Sequence, residues 1–101
     1  MLPLVKRVAH MEQEKRLIAR RRRLHGQNYY RFVLDEQQTY LTLTSLPGGR
    51  RKPWLLSYRG QLVRDNMDGL VCFPTVTMAE KEVNRALEQW LQRNPKYGSQ
   101  V

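Results

Sequence analysis

The sequence predicts an α+β fold: an N-terminal basic helix, an antiparallel meander sheet of three to five strands, and a C-terminal amphipathic helix packed on one sheet face. Three observations carry that expectation. Helix-forming Lys, Arg, Glu, Gln, Leu and Ala dominate residues 4–24. Period-two alternation of apolar and polar residues follows in "NYYRFVLDE" and "TYLTLTSL". The stripe Ala79, Val83, Ala86, Leu87, Trp90 and Leu91 then recurs at helical spacing near the end of the chain.

The first element is expected as a helix over residues 4–24. Pro3 suits its first turn, and His25-Gly26 suits its end, with Gly26 able to take a left-handed conformation. Its apolar line of Leu4, Val8, Met11 and Ile18 is thin and is interrupted by Lys15. Such a helix docks by a narrow edge or reaches away from the body. In "NYYRFVLDE", Tyr30, Phe32 and Leu34 alternate with Tyr29, Arg31 and Val33, and "DEQQ" turns the chain. Leu41 and Leu43 alternate with Tyr40, Thr42 and Thr44. "PGGRRKP" is a loop, bounded by prolines and built on Gly-Gly. "WLLSYRGQLVRD" resumes extended structure, "NMDG" is a hairpin turn, and "LVCF" is a short strand that Pro74 stops. The last helix is expected to start at a Thr77/Glu80 capping box and to end at Asn94-Pro95. The core face then holds Phe32, Leu34, Leu41, Leu43, Trp54, Leu56 and Tyr58, closed by Val83, Leu87, Trp90 and Leu91. The opposite face carries Tyr29, Arg31, Tyr40, Thr42, Thr44, Ser57 and Arg59. A single domain is expected overall, with a basic helix over residues 1–26 as an arm or docking element, an α+β body of sheet and C-terminal helix over 27–96 and a frayed tail over 97–101.

Charge is the strongest global property. The chain of 101 residues holds 18 Lys and Arg against 9 Asp and Glu, a net charge of +9. Residues 1–31 carry net +7, and the remaining two thirds are nearly balanced. A basic element on a neutral body points to an anionic partner. No apolar run reaches the roughly 18–20 residues of a membrane span, and "MLPLVKRVAH" is too soon charged for a secretory signal. The single Cys72 excludes an internal disulfide and fits a reducing compartment, so a cytoplasmic location is expected.

The residues supply little for catalysis. His10 and His25 have no Cys or acidic neighbour at a metal-ligand spacing. Cys72 sits in an apolar stretch, as a small hydrophobe does. Asp65 and Asp68 flank a turn, where aspartate bonds the local backbone. "PGGRRK" lacks the P-loop spacing. No enzymatic activity, metal or cofactor is expected.

The four-arginine run remains. In a helix Arg20, Arg21, Arg22 and Arg23 step about 100° apart and surround the axis as a charge collar. No acidic residue lies within four positions of them. Like charges at helical spacing cost about 0.2–0.5 kcal/mol per pair, which a favourable helix dipole offsets in part. Guanidinium groups match phosphate bidentately. Arg16, Arg20, Arg21, Arg22 and Arg23 are therefore expected to contact nucleic-acid phosphates, with Arg50, Arg51 and Lys52 at the glycine-rich loop as a second contact. Tyr29, Arg31 and Arg59 are the candidates for base contact or stacking.

Two families are similar in pattern. The α–β–β–β–α order resembles the double-stranded-RNA-binding domain. That family presents lysines at the start of its last helix, where this chain has "TMAEKEV" with Glu80 and Glu82. The strands followed by "FPTVTMAEKEVNRALEQWL" resemble the module at the front of phage-type integrases, which implies a sheet turned toward DNA. The functional expectation is a small non-enzymatic nucleic-acid-binding protein, with DNA favoured over RNA. The alternative is a protein-interaction module (a small regulator, inhibitor or complex subunit) that docks its basic helix on an acidic protein surface.

Overall fold

The computed structural model describes residues 17–98. These form a six-stranded antiparallel sheet and a long C-terminal helix, an α+β arrangement. The strands are β1 (Ile18–Leu24), β2 (Gln27–Leu34), β3 (Gln37–Ser45), β4 (Trp54–Tyr58), β5 (Gln61–Leu62) and β6 (Cys72–Phe73). The helices are α1 (Val76–Arg93) and the short α2 (Pro95–Gly98). Strands β1 to β5 lie side by side in chain order, and β6 pairs with β4 beside β5.

The expected basic helix is not what these residues form. Its first part, with Arg16, lies outside the described residues. Its second part is β1, an edge strand paired with β2 from Ile18↔Val33 to Leu24↔Gln27. Helix propensity is a weak preference that pairing with a neighbouring strand overrides. His25-Gly26 is accordingly not a helix stop. Both residues have positive φ (50° and 79°), which makes a two-residue hairpin turn whose twist suits the strands it joins. Asp35-Glu36 (52° and 67°) and Arg59-Gly60 (53° and 77°) make the same turn between β2 and β3 and between β4 and β5.

The expected core face is observed. Leu17, Phe32, Leu34, Leu41, Leu43, Leu56, Tyr58, Val63 and Phe73 are buried against Ala79, Val83, Leu87, Trp90 and Leu91 of α1. Trp54 is partly buried and meets Tyr30 edge to face, with ring centroids 5.3 Å apart. Tyr97 of α2 stacks on Trp90 at 5.1 Å. The helix runs over the sheet and touches both β6 and the edge strand β1.

The start of α1 differs from the expected capping box. The N-cap is Thr75, whose Oγ1 accepts from Met78 N–H at 3.1 Å. Glu80 instead accepts a hydrogen bond from Ala19 N–H, 2.7 Å away across the fold. The sequence holds threonines at both 75 and 77, and only the arrival of the chain from β6 decides which one caps the helix.

A bulge interrupts the β2–β3 ladder. Arg31 pairs with Thr42, but Val33 pairs with Gln38, so three β3 residues face the single residue Phe32. Thr39 holds this irregularity. Its hydroxyl donates to Phe32 O (2.8 Å) and accepts from Leu41 N–H (3.2 Å). Arg31 donates from its guanidinium to Thr39 O at 2.8 Å.

Two stability outcomes are expected from these local structures. Thr75→Ala should cost about 1 kcal/mol in urea unfolding, whereas Thr77→Ala should stay within about 0.5 kcal/mol of the parent. Glu36→Gly should raise stability by about 0.5–1 kcal/mol in the same assay, because a side chain at positive φ is strained where glycine is not.

Candidate nucleic-acid interface

Strand geometry divides the arginine run between two faces. Residues opposite one another in an antiparallel pair share a face. Arg21 lies opposite Tyr30 and Arg23 opposite Asn28, on the side that carries α1. Arg20 lies opposite Arg31 and Arg22 opposite Tyr29, on the other side. The register continues across the sheet as Arg20–Arg31–Thr42–Ser57 in one row and Arg22–Tyr29–Thr44–Leu55 in the next. No helix of the described residues covers these rows. The charge collar of the helical expectation is thus replaced by a two-sided strand. One side joins the polar, aromatic face on which Tyr29 and Arg31 were expected.

The guanidinium groups of this face have few partners among the described residues. Arg22 donates to Arg21 O at 3.1 Å in an exposed contact. Arg31 is held by Thr39 O, and it is half-buried. Among the described residues, no acidic side chain forms a salt bridge with any of Arg20, Arg21, Arg22 or Arg23. The pairs that do form lie elsewhere, Arg64 with Asp68 and Arg85 with Glu82.

The second expected cluster sits on the β3–β4 loop, closed by Leu46 N–H donating to Pro53 O at 2.7 Å. Arg50, Arg51 and Lys52 are all exposed there. This loop and the His25-Gly26 turn lie at the same end of the sheet, because β1 ends beside the start of β2 and β3 ends opposite it. Arg50 and Lys52 also act on Cys72. Burial pushes that thiol up from its ordinary value, and the two cations pull it partly back.

Arg59 is separated from these groups. It occupies the β4–β5 turn, at the end of the sheet that also bears the Asp35-Glu36 turn. Its guanidinium lies 4.9 Å from the centre of the Tyr40 ring and 5.8 Å from that of Tyr58. The structure therefore brings Arg20, Arg22, Tyr29 and Arg31 onto one surface, sets the 50–52 cluster at the basic end, and leaves Arg59 at the far end. Arg20 and Arg22 as members of the sheet face were missed by sequence reasoning. The alternation Leu17, Ala19 against Ile18, Arg20, Arg22 was present, but four identical residues hide a period of two.

An open groove of about 410 Å³ lies between α1 and the hairpin of residues 64–70. Leu70, Phe73, Met78 and Ala86 form its apolar part, and Arg64, Arg85 and Arg93 lie on it together with Asp65 and Glu82. Asp65 organises the hairpin: its Oδ1 accepts from Met67 N–H and Gly69 N–H, both at 2.9 Å. No group of three or more metal-ligating side chains occurs among the described residues, and none of their helices is long and apolar enough to cross a membrane.

Comparison with known proteins finds no matching family model, no similar curated protein and no similar solved structure.

The hydrogen bonds from Gly69 and then Met67 hold the Asp65 carboxyl below its ordinary value. A carboxyl depressed in the folded state stabilises the fold above its unfolded pKa, and that contribution disappears as pH falls. Urea midpoints measured between about pH 6 and about pH 3 should therefore fall less steeply for Asp65→Ala than for the parent.

Proposed function

We propose that this chain is a small non-enzymatic nucleic-acid-binding protein, with DNA favoured over RNA as its ligand, that presents the open sheet face and its arginine strand to that ligand. One observation carries the proposal. Arg20 and Arg22 share a face with Tyr29 and Arg31, and the four-arginine run has no acidic partner among the described residues. Guanidinium groups that no carboxylate of the described residues neutralises, set beside hydroxyl-bearing Thr42, Thr44 and Ser57, are complementary to a polyanion. Phosphate contacts fall to Arg21 and Arg23 at the sheet edge and to Arg50, Arg51 and Lys52 at its basic end. Arg16 belongs to the same run of charge in sequence. DNA is favoured because the B-form major groove admits a β-ribbon, whereas the A-form major groove is too narrow for side chains to read. A cytoplasmic setting accords with Cys72 being the only cysteine.

The rival is an interaction module for an acidic protein. It draws support from the position of β1, an edge strand whose outer backbone groups pair with no other strand among the described residues, Ala19 N–H being taken by Glu80.

Titration of a fluorescent random duplex at two salt concentrations separates the two functions. The parent should bind at low salt with a steep salt dependence. Replacing all of Arg20, Arg21, Arg22 and Arg23 by Gln should lower the slope of log K against log salt by about 0.9 for each phosphate that is no longer neutralised. An unchanged slope removes β1 from the interface. No duplex binding at low salt, with co-purification of an acidic protein, favours the rival.

A further inference from the structure

We infer that Arg20 and Arg22 form a specificity-determining pair that reads two guanines in the major groove of duplex DNA; the inference rests on the nucleic-acid-binding proposal above. The first ground is direction. Alternation along β1 turns these two arginines, and not Arg21 or Arg23, onto the open face. The second is relief. Toward β3 and β4 the same rows continue in the shorter side chains of Thr42, Thr44 and Ser57 and the buried Leu55, so the long arginine side chains of these rows are confined to the β1–β2 ribbon. Strands lie about 4.8 Å apart, and a two-stranded ribbon enters a major groove about 12 Å wide. The ribbon also ends in a two-residue turn, His25-Gly26, which adds no bulk at its tip.

The third ground is the chemistry of the face. A surface for single strands stacks successive bases on exposed rings. Here Tyr29 is half-buried, and Tyr40, the exposed ring, carries the Arg59 guanidinium 4.9 Å from its centre at the far end of the sheet. The open rows offer guanidinium groups, so the ligand they suit is a duplex with its bases in place. Within a duplex, the base that takes a planar donor fork is guanine, through O6 and N7. Arg31 donates to Thr39 O in a part-buried contact, which makes it a support for the ribbon, whereas the Arg22 bond to Arg21 O is longer and exposed, so a ligand can replace it.

The fourth ground is spacing. Residues two apart on a strand are about 6.8 Å apart, which matches two base-pair steps of about 3.4 Å. Two guanines no more than two steps apart are the expected recognition element.

Selection of the full chain against a randomised duplex pool, followed by anisotropy titration of the selected site, tests this. Enrichment of two guanines within two steps is expected. Arg20→Lys and Arg22→Lys, which keep the charge and remove the fork, should each reduce discrimination at one guanine by about tenfold, read as the ratio of affinities for the selected site and for the same site with that guanine replaced. Replacing that guanine by 7-deazaguanine, which lacks N7, should have a like effect on the parent. Arg50→Ala and Lys52→Ala should weaken all sequences evenly. Circular dichroism of each variant should match the parent. Duplex binding with no guanine enrichment, or lysine variants that discriminate as the parent does, would overturn the inference and leave the broader proposal standing. Preference for single strands over duplex would do the same. Absence of any nucleic-acid binding at low salt would overturn both.

Discussion

The pairing of β1 with β2 holds the candidate interface in place. The two-residue turn at His25-Gly26 sets Leu24 opposite Gln27 and thereby the register of every residue back to Ile18. A slip by one residue would turn Arg20 and Arg22 toward the helix and bring Leu17 and Ala19 out to solvent. Two tertiary contacts oppose that slip. Leu17 is only 2% exposed within the core, and Glu80 of α1 accepts from Ala19 N–H. Burial of Leu17 contributes about 1.5–3 kcal/mol. The opposing term is the like-charged cross-strand pair Arg20 and Arg31, which costs at most about 1 kcal/mol. Burial therefore outweighs repulsion, and a strand rich in arginine is held at the sheet edge. Arginine there has a further effect, since edge cations discourage pairing with other strands of like charge.

The sheet is electrostatically uneven along its strands. One end carries His25 in a turn and Arg50, Arg51 and Lys52 in a loop, while the other carries the Asp35-Glu36 turn. The bulge at Thr39 lies toward the acidic end and draws the Arg31 guanidinium onto a backbone carbonyl. Arg59 is drawn over Tyr40 at the same end. Two of the arginines on or near the open face are thus engaged within the fold, and the least engaged ones lie on β1. Positive charge is thus concentrated along one edge and one end of the sheet.

Much of the fold was legible in the residues. The period-two runs around Phe32 and Leu43 and the stripe from Ala79 to Leu91 each had one plausible partner surface, and they meet as expected. The outward set of Tyr29, Arg31, Thr42, Thr44 and Ser57 followed from the same alternation. The arginine strand was not legible, because arginine has good helix propensity and its repetition conceals which positions face inward. The N-cap was misplaced by two residues for a related reason. Thr75 and Thr77 are locally equivalent as caps, and Glu80 fits a capping box until Ala19 arrives to take it.

Composition and short-range periodicity were enough to establish the basic character of the chain, the core-forming strands, most of the turns and the amphipathic helix. Three outcomes were settled only in three dimensions: residues 18–24 are a strand, two arginines of four face the open side, and Arg59 stands apart from the basic end. Those outcomes depend on the β1–β2 and β4–β5 hairpins finding their place in the sheet and, for β1, on two contacts far apart in the chain: Leu17 with the core, and Glu80 with Ala19. No local preference encodes such contacts, and once they form they assign each side chain its face.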